Sequence, residues 1–217
     1  MSAPGSRGDP HAGLPLLRLG AAPGEADAAV LLVHGRGGSP EGIAELTRVL
    51  ARPLTTWVAP AAQHGSWYPY SFLAPRVQNQ PWLDSALGAL GSAVGLLEKE
   101  GIPSDRVLLV GFSQGACLAG EFTARNARRC GGLAVLSGGL IGPPGSSFDD
   151  GRTLEGTPAF FGCGDPDPHI PRDRVEESGR VFASLGADVD VRIYEGLGHA
   201  VNNDELEAVR ALLNHLA

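Results

Sequence analysis

A serine, a carboxylate and a histidine stand in this sequence at positions where they could share one proton. Ser113 lies in Gly111-Phe112-Ser113-Gln114-Gly115, Asp165 and Asp167 in Gly164-Asp165-Pro166-Asp167-Pro168-His169, and His199 closes Gly196-Leu197-Gly198-His199. Nucleophilic acyl transfer needs a hydroxyl, a base to take its proton, and a carboxylate to orient that base and stabilise its charged form. A serine at the tip of a sharp strand-to-helix turn has its hydroxyl pushed into the open by a strained backbone. Side chains two residues to either side would collide there, which accounts for glycine at 111 and 115. Gln114 would present its backbone N–H at the helix N-terminus, where unpaired donors and the helix dipole favour a developing oxyanion. With 31 Gly in 217 residues, such a pattern also arises in idle turns, so the flanking elements must decide.

Those elements agree with the chemical reading. Residues 107–110 form a short β-branched and leucine run, and helix-compatible residues follow from Ala116. Further apolar runs at 29–33, 55–59, 132–136, 158–163 and 189–194 predict strands, the first of them continuous enough to be buried on both faces of a parallel sheet. Helical stripes predict a helix over 40–50 with Ile43, Leu46, Val49 and Leu50 on one face. Another covers 82–100 through Leu83, Leu87, Leu90, Val94 and Leu97, a third covers 172–185, and a closing helix carries Leu206, Val209, Leu212, Leu213 and Leu216. Ser113, the 165–167 carboxylates and His199 each follow a predicted strand. A parallel sheet would therefore bring all three to its carboxyl edge, where open α/β sheets place ligands. The fold class expected is α/β: one domain over 14–217, a mostly parallel central sheet with helices on both faces. Between residues 60 and 81 periodicity fails, among His64, Trp67, Tyr68, Tyr70 and Phe72. A loop of that length in a compact domain is functional or disordered, and its rings either anchor the loop itself or wall a substrate.

Composition narrows the partners. The net charge of -7 argues against a nucleic-acid backbone or an anionic bilayer. Cys117, Cys130 and Cys163 are odd in number and widely spaced, without C-x-x-C or a histidine cluster, so neither a disulfide framework nor a metal site is expected and reduced, cytoplasmic thiols fit. His34-Gly35-Arg36-Gly37-Gly38-Ser39 is glycine-rich but lacks phosphate-loop spacing. No apolar run approaches the roughly 20 residues of a bilayer span. Residues 1–13, polar and rich in Gly and Pro, read as a disordered leader. No cofactor and no metal is expected; the partner expected is a small-molecule ester, and a homodimer stays open as an assembly.

Four segments carry a resemblance: Val30-Leu-Leu-Val-His-Gly-Arg-Gly-Gly-Ser39, Gly111-Phe-Ser-Gln-Gly-Ala116, Gly164-Asp-Pro-Asp-Pro-His-Ile-Pro171 and Gly196-Leu-Gly-His-Ala200. Together they resemble the carboxylesterase and acyl-protein thioesterase group of the α/β-hydrolases, also labelled phospholipase/carboxylesterase, over about residues 30 to 200. The resemblance implies an α/β-hydrolase fold without a large cap domain, Ser113 as nucleophile, His199 as general base and Asp167 as its carboxylate. It also implies the backbone N–H groups of Arg36 and Gln114 as oxyanion hole. A small subgroup carrying W-Y-P-Y-S-F-L looks closest, which implies that 64–73, with Trp67, Tyr68 and Phe72, borders an acyl pocket. Arg36 and Gly37 stand where thioesterases tend to have Leu and Gly-Asp, favouring small esters over protein depalmitoylation. The reaction expected is cofactor-free hydrolysis of short to medium acyl esters. The other readings are an acyl-protein thioesterase or lysophospholipase-like hydrolase, acyl transfer to a thiol, alcohol or peroxide, and a silent ligand-binding protein on a hydrolase scaffold.

Overall fold

The computed structural model describes residues 9–148 and 151–216. Seven strands form one sheet: β1 (Leu16–Gly20), β2 (Ala28–Val33), β3 (Thr55–Pro60), β4 (Val107–Phe112), β5 (Gly132–Leu136), β6 (Pro158–Gly164) and β7 (Asp188–Tyr194). Their spatial order is β1-β3-β2-β4-β5-β6-β7. From β3 to β7 every pairing is parallel, and only β1 runs antiparallel, with Leu17 opposite Ala59. The order turns around β2 and β4, so the loops after these strands diverge and open a crevice at the carboxyl edge.

Among the described residues six α-helices cover the faces: α1 (Pro40–Ala44), α2 (Leu46–Leu50), α3 (Trp82–Lys99), α4 (Gln114–Arg125), α5 (Arg172–Ser184) and α6 (Asn203–Asn214). All six residues of β2 are buried, and alternate ones serve opposite faces. Ala29, Leu31 and Val33 join Leu83, Leu90, Leu118, Val175 and Phe182 beneath α3, α4 and α5. Ala28, Val30 and Leu32 join Ile43, Leu50, Val209 and Leu213 beneath α1, α2 and α6. Each fully buried Leu or Val stabilises the fold by roughly 1.5–3 kcal/mol, so these two layers hold the edge loops on a rigid platform. Among the described residues no separate cap stands over the carboxyl edge.

The structure departs from the sequence reading in its details. The helix expected over 40–50 breaks at Glu45: Glu45 N–H turns back to Gly42 O and Arg48 N–H to Glu45 O, a tightening favoured by the weak helix former Gly42. The stripe rotates in consequence, leaving Val49 46% exposed. β1 is an additional strand: its leucines at 16, 17 and 19 are interrupted by Arg18 and end at Gly20, too short a run to mark a strand on its own. Residues 1–8 of the leader lie outside the described residues, and within 9–13 His11 reaches the body. His11 is buried there, its backbone N–H donating to Ser85 Oγ at 2.9 Å.

Candidate active site

Ser113 sits between β4 and α4 with φ 55 and ψ -122, a left-handed strain that the surrounding packing must hold. The glycines beside it have specific reasons. A Cβ on Gly111 would meet the Gly115 carbonyl at 2.5 Å, and one on Gly115 would overlap the carbonyls of Val33 and His34 at the end of β2. The turn is thus wedged between the neighbouring strand and its own helix.

Ser113 Oγ lies 2.8 Å from His199 Nε2, and His199 Nδ1 lies 2.7 Å from Asp167 Oδ2. An ionised carboxylate only accepts, so the Asp167 bond assigns the ring proton to Nδ1 and leaves Nε2 able to take the serine proton. The Asp167 side chain is fully buried, which by itself would raise its pKa. The His199 bond and the backbone N–H groups of His169 (2.8 Å) and Ile170 (3.1 Å) outweigh that burial, and the carboxyl is held below its ordinary range. His199 itself is packed between Phe112 and His169, with ring centroids 5.0 and 4.9 Å away.

Asp165, the alternative carboxylate, points elsewhere. Its Oδ1 accepts the Gly196 N–H at 2.8 Å, and its own N–H donates to Tyr194 O, so it ties the loop after β6 to the loop carrying His199. Gly164 allows this contact, since a Cβ there would run into the Leu197 carbonyl. The distinction between the two aspartates follows from this geometry: one carboxylate reaches the ring, and the other fixes the loop.

A cleft of about 380 Å³ opens beside Ser113, lined by Tyr68, Tyr70, Phe72, Cys117, His169 and Ile170, with Arg36 and Gln114 also at its wall. Among the described residues neither the Arg36 nor the Gln114 backbone N–H has a protein acceptor, which leaves both donors for a ligand oxygen. Tyr68, itself buried, and Phe72 line the cleft, whereas Trp67 does not. It is fully buried, its Nε1 donating to His34 O at 2.8 Å and its ring 5.0 Å from the His34 ring. Trp67 anchors the segment from beneath. His34 braces the same loop: its Nδ1 lies 2.8 Å from Gly35 O, and its Nε2 accepts the Ala62 N–H. Burial lowers the pKa of His34, which favours the neutral ring whose Nε2 accepts the Ala62 N–H. His64 stays away from the site, its Nε2 3.3 Å from the Gln63 amide.

Sequence reasoning missed His11, whose Nδ1 accepts Gln63 N–H at 3.1 Å and whose Nε2 reaches Trp67 O at 3.0 Å. Nothing in a polar leader signals such a contact. His169 was closer to hand, since it follows Asp167 by two residues.

The model of the Phospholipase/Carboxylesterase family matches residues 20–217. The chain belongs to this family. It is accordingly a carboxylic ester hydrolase of α/β-hydrolase fold. Among family members, a crystal structure of a phospholipase/carboxylesterase from Dyadobacter fermentans is 41% identical, with a TM-score of 0.89 over 93% of this chain and 97% of that one. The "Probable carboxylesterase" of Oryza sativa subsp. japonica is 30% identical over 92% of this chain and 84% of its own length. An acyl-protein thioesterase 1 from Kluyveromyces lactis is 27% identical over 82% and 87% respectively. Both ester and thioester hydrolases thus stand among the relatives of this family member. No helix among the described residues is long and apolar enough to cross a membrane.

Proposed function

We propose that this chain is a serine carboxylesterase acting on short to medium acyl esters through an acyl-enzyme. The observation that carries this reading is the continuous relay Ser113 Oγ, His199 Nε2, His199 Nδ1, Asp167 Oδ2, at 2.8 and 2.7 Å. Ser113 attacks the ester carbonyl while His199 takes its proton, and Asp167 stabilises the imidazolium that forms. The carbonyl oxygen, now negative, is received by the backbone N–H groups of Arg36 and Gln114. Collapse of the tetrahedral intermediate returns the proton from His199 to the leaving alkoxide, and the alcohol departs. Water, deprotonated by the same ring, then attacks the acyl-enzyme and releases the acid.

The cleft volume of about 380 Å³ lies near the low end of the roughly 300–1,000 Å³ of ligand pockets, which supports a small acyl group. An acyl-protein thioesterase reading is favoured by the names of relatives such as the Kluyveromyces lactis protein, and the same relay would serve a thioester. A silent binding protein is disfavoured by a complete relay. The three cysteines, all free and buried, fit a reducing, cytoplasmic setting. The test is a p-nitrophenyl ester series from acetate to palmitate beside palmitoyl-CoA, in the presence of EDTA. Turnover should peak at short to medium chains and be unaffected by the chelator. A preference for palmitoyl-CoA would favour the thioesterase reading, and loss of turnover in EDTA would contradict a reaction run by chain atoms alone.

A further inference from the structure

The oxyanion side of the cleft and its aromatic wall are joined by side chains that the proposed reaction does not itself consume. Arg36 Nη1 donates to Ser66 Oγ and to Pro69 O, both at 3.1 Å, while Nη2 donates to Tyr68 O at 2.8 Å and Tyr70 O at 3.0 Å. Gln114, buried, accepts the Trp67 N–H on Oε1 at 2.9 Å and donates from Nε2 to Tyr68 O at 2.8 Å. The two residues assigned to the oxyanion hole in the proposed reaction therefore grip one stretch, 66–70, with their side chains. Tyr68 and Tyr70 of that stretch line the cleft. A main-chain link runs beside the grip, from Gly37 N–H to Gly65 O at 2.7 Å.

We propose that Arg36 is a positioning residue that sets acyl-chain selectivity, by coupling the aromatic wall to the placement of the oxyanion donor. The inference rests on the esterase reading above and deepens it. A guanidinium is planar and presents five donors in a fixed fork, which suits three carbonyls and a hydroxyl spread over one loop; an ammonium, a compact charge with three donors, does not. Since the same residue supplies the oxyanion N–H, an acyl group that displaces the wall also pulls on the donor. A chain too bulky for the cleft is thereby penalised in turnover as well as in binding. The four acceptors are neutral, so the contacts leave the guanidinium charge intact beside the site. Charge and clamp are separable by substitution.

The experiment measures kcat and KM for p-nitrophenyl acetate, butyrate and octanoate with the wild type, Arg36→Lys, Arg36→Ala and Ser113→Ala, alongside a thermal melt of each. Arg36→Lys keeps the charge and loses the fork. Both Arg36 variants should lose roughly ten- to a hundredfold in kcat on acetate, less than the roughly 10²- to 10³-fold that complete removal of an oxyanion donor costs, because the backbone N–H is displaced and not deleted, with KM little changed. Their octanoate-to-acetate ratio of kcat/KM should rise by about fivefold or more, as the released wall yields to the longer chain. Free guanidinium ion should restore part of the kcat of Arg36→Ala. A Lys variant with wild-type kcat and selectivity would show that charge suffices and overturn the clamp. So would an unchanged octanoate-to-acetate ratio in both variants with losses that follow the melting temperature, since that is a purely structural residue. Wild-type protein inactive on every ester, or Ser113→Ala as active as wild type, would instead sink the esterase reading, and this inference with it.

Discussion

The two sides of the cleft are built in different ways. On one side Ser113, Asp167 and His199 stand just beyond β4, β6 and β7, and their contacts with one another run from side chain to side chain at 2.7 and 2.8 Å. On the other, 60–81 has no strand of its own past Pro60, and polar side chains from distant parts of the chain hold its backbone. His11 grips Gln63 and Trp67, His34 grips Ala62, and Arg36 and Gln114 grip 66–70, while the buried Asn79, inside the segment, grips Tyr70 and Ser71. The sheet fixes the chemistry, and a set of loop clamps fixes the wall. Damage to the first side should cost turnover with the fold intact, whereas damage to the second should cost stability and selectivity.

The largest effect expected is on the strand side. Ser113→Ala should lower kcat on p-nitrophenyl butyrate by about 10⁴-fold or more at an unchanged melting temperature, because the nucleophile alone is removed. Asp167→Asn should lower kcat by roughly 10³- to 10⁴-fold, through the wrong ring tautomer of His199. Asp165→Asn, which touches only the Gly196 N–H, should keep most turnover and cost under about 1 kcal/mol in a denaturant melt. Exchange of these two outcomes would reverse the roles of the aspartates.

On the wall side, Trp67→Ala should destabilise the protein by about 3–5 kcal/mol, by emptying a fully buried site and freeing its bond to His34 O. Phe72→Ala, at the cleft itself, should shift the octanoate-to-acetate preference by more than Trp67→Ala does. Equal shifts would blur the division between anchor and wall.

The smallest effect is in pH. Burial lowers the pKa of His11 from 6.5, opposed by the Trp67 carbonyl and Asp9. Below 6.5 the unfolded chain binds the proton more readily than the folded one, so the stabilisation present above that value is lost as pH falls toward the folded pKa. Glu205, buried in α6 and pushed up to about 7, acts in the opposite sense between 4.5 and 7. The His11 contribution is therefore read as a difference. The melting temperature of wild type minus that of His11→Gln should shrink between pH 7 and pH 5; a constant gap would remove His11 from the clamp.

This division also explains what the sequence discloses. Strand runs such as 107–110 and 132–136 are legible because a doubly covered sheet demands apolar residues on both faces, and the glycines at 111 and 115 are legible because the turn tolerates no Cβ. Ser113 and His199 follow from those elements. Position beyond a strand does not say which of the two aspartates faces the ring; the resemblance singles out Asp167, and the geometry brings that carboxylate to His199. The wall was only half legible. Trp67 and Tyr68 are adjacent in the chain yet turn to opposite tasks, one beneath the loop and one along the cleft, and a segment without periodicity gives no rule for that. The clamps His11, Arg36 and Gln114 bond to backbone atoms, and backbone acceptors have no residue identity that a pattern could match.

The central claim is that Ser113 is the nucleophile activated by His199. The most direct measurement is labelling with a serine-directed fluorophosphonate, followed by peptide mass spectrometry on the wild type and on His199→Ala. The account predicts a stoichiometric adduct on the peptide carrying Ser113, formed in step with loss of esterase activity, and labelling slowed by about 10³-fold or more when the base is removed. An adduct on another serine, or labelling of Ser113 at the same rate without His199, would contradict it.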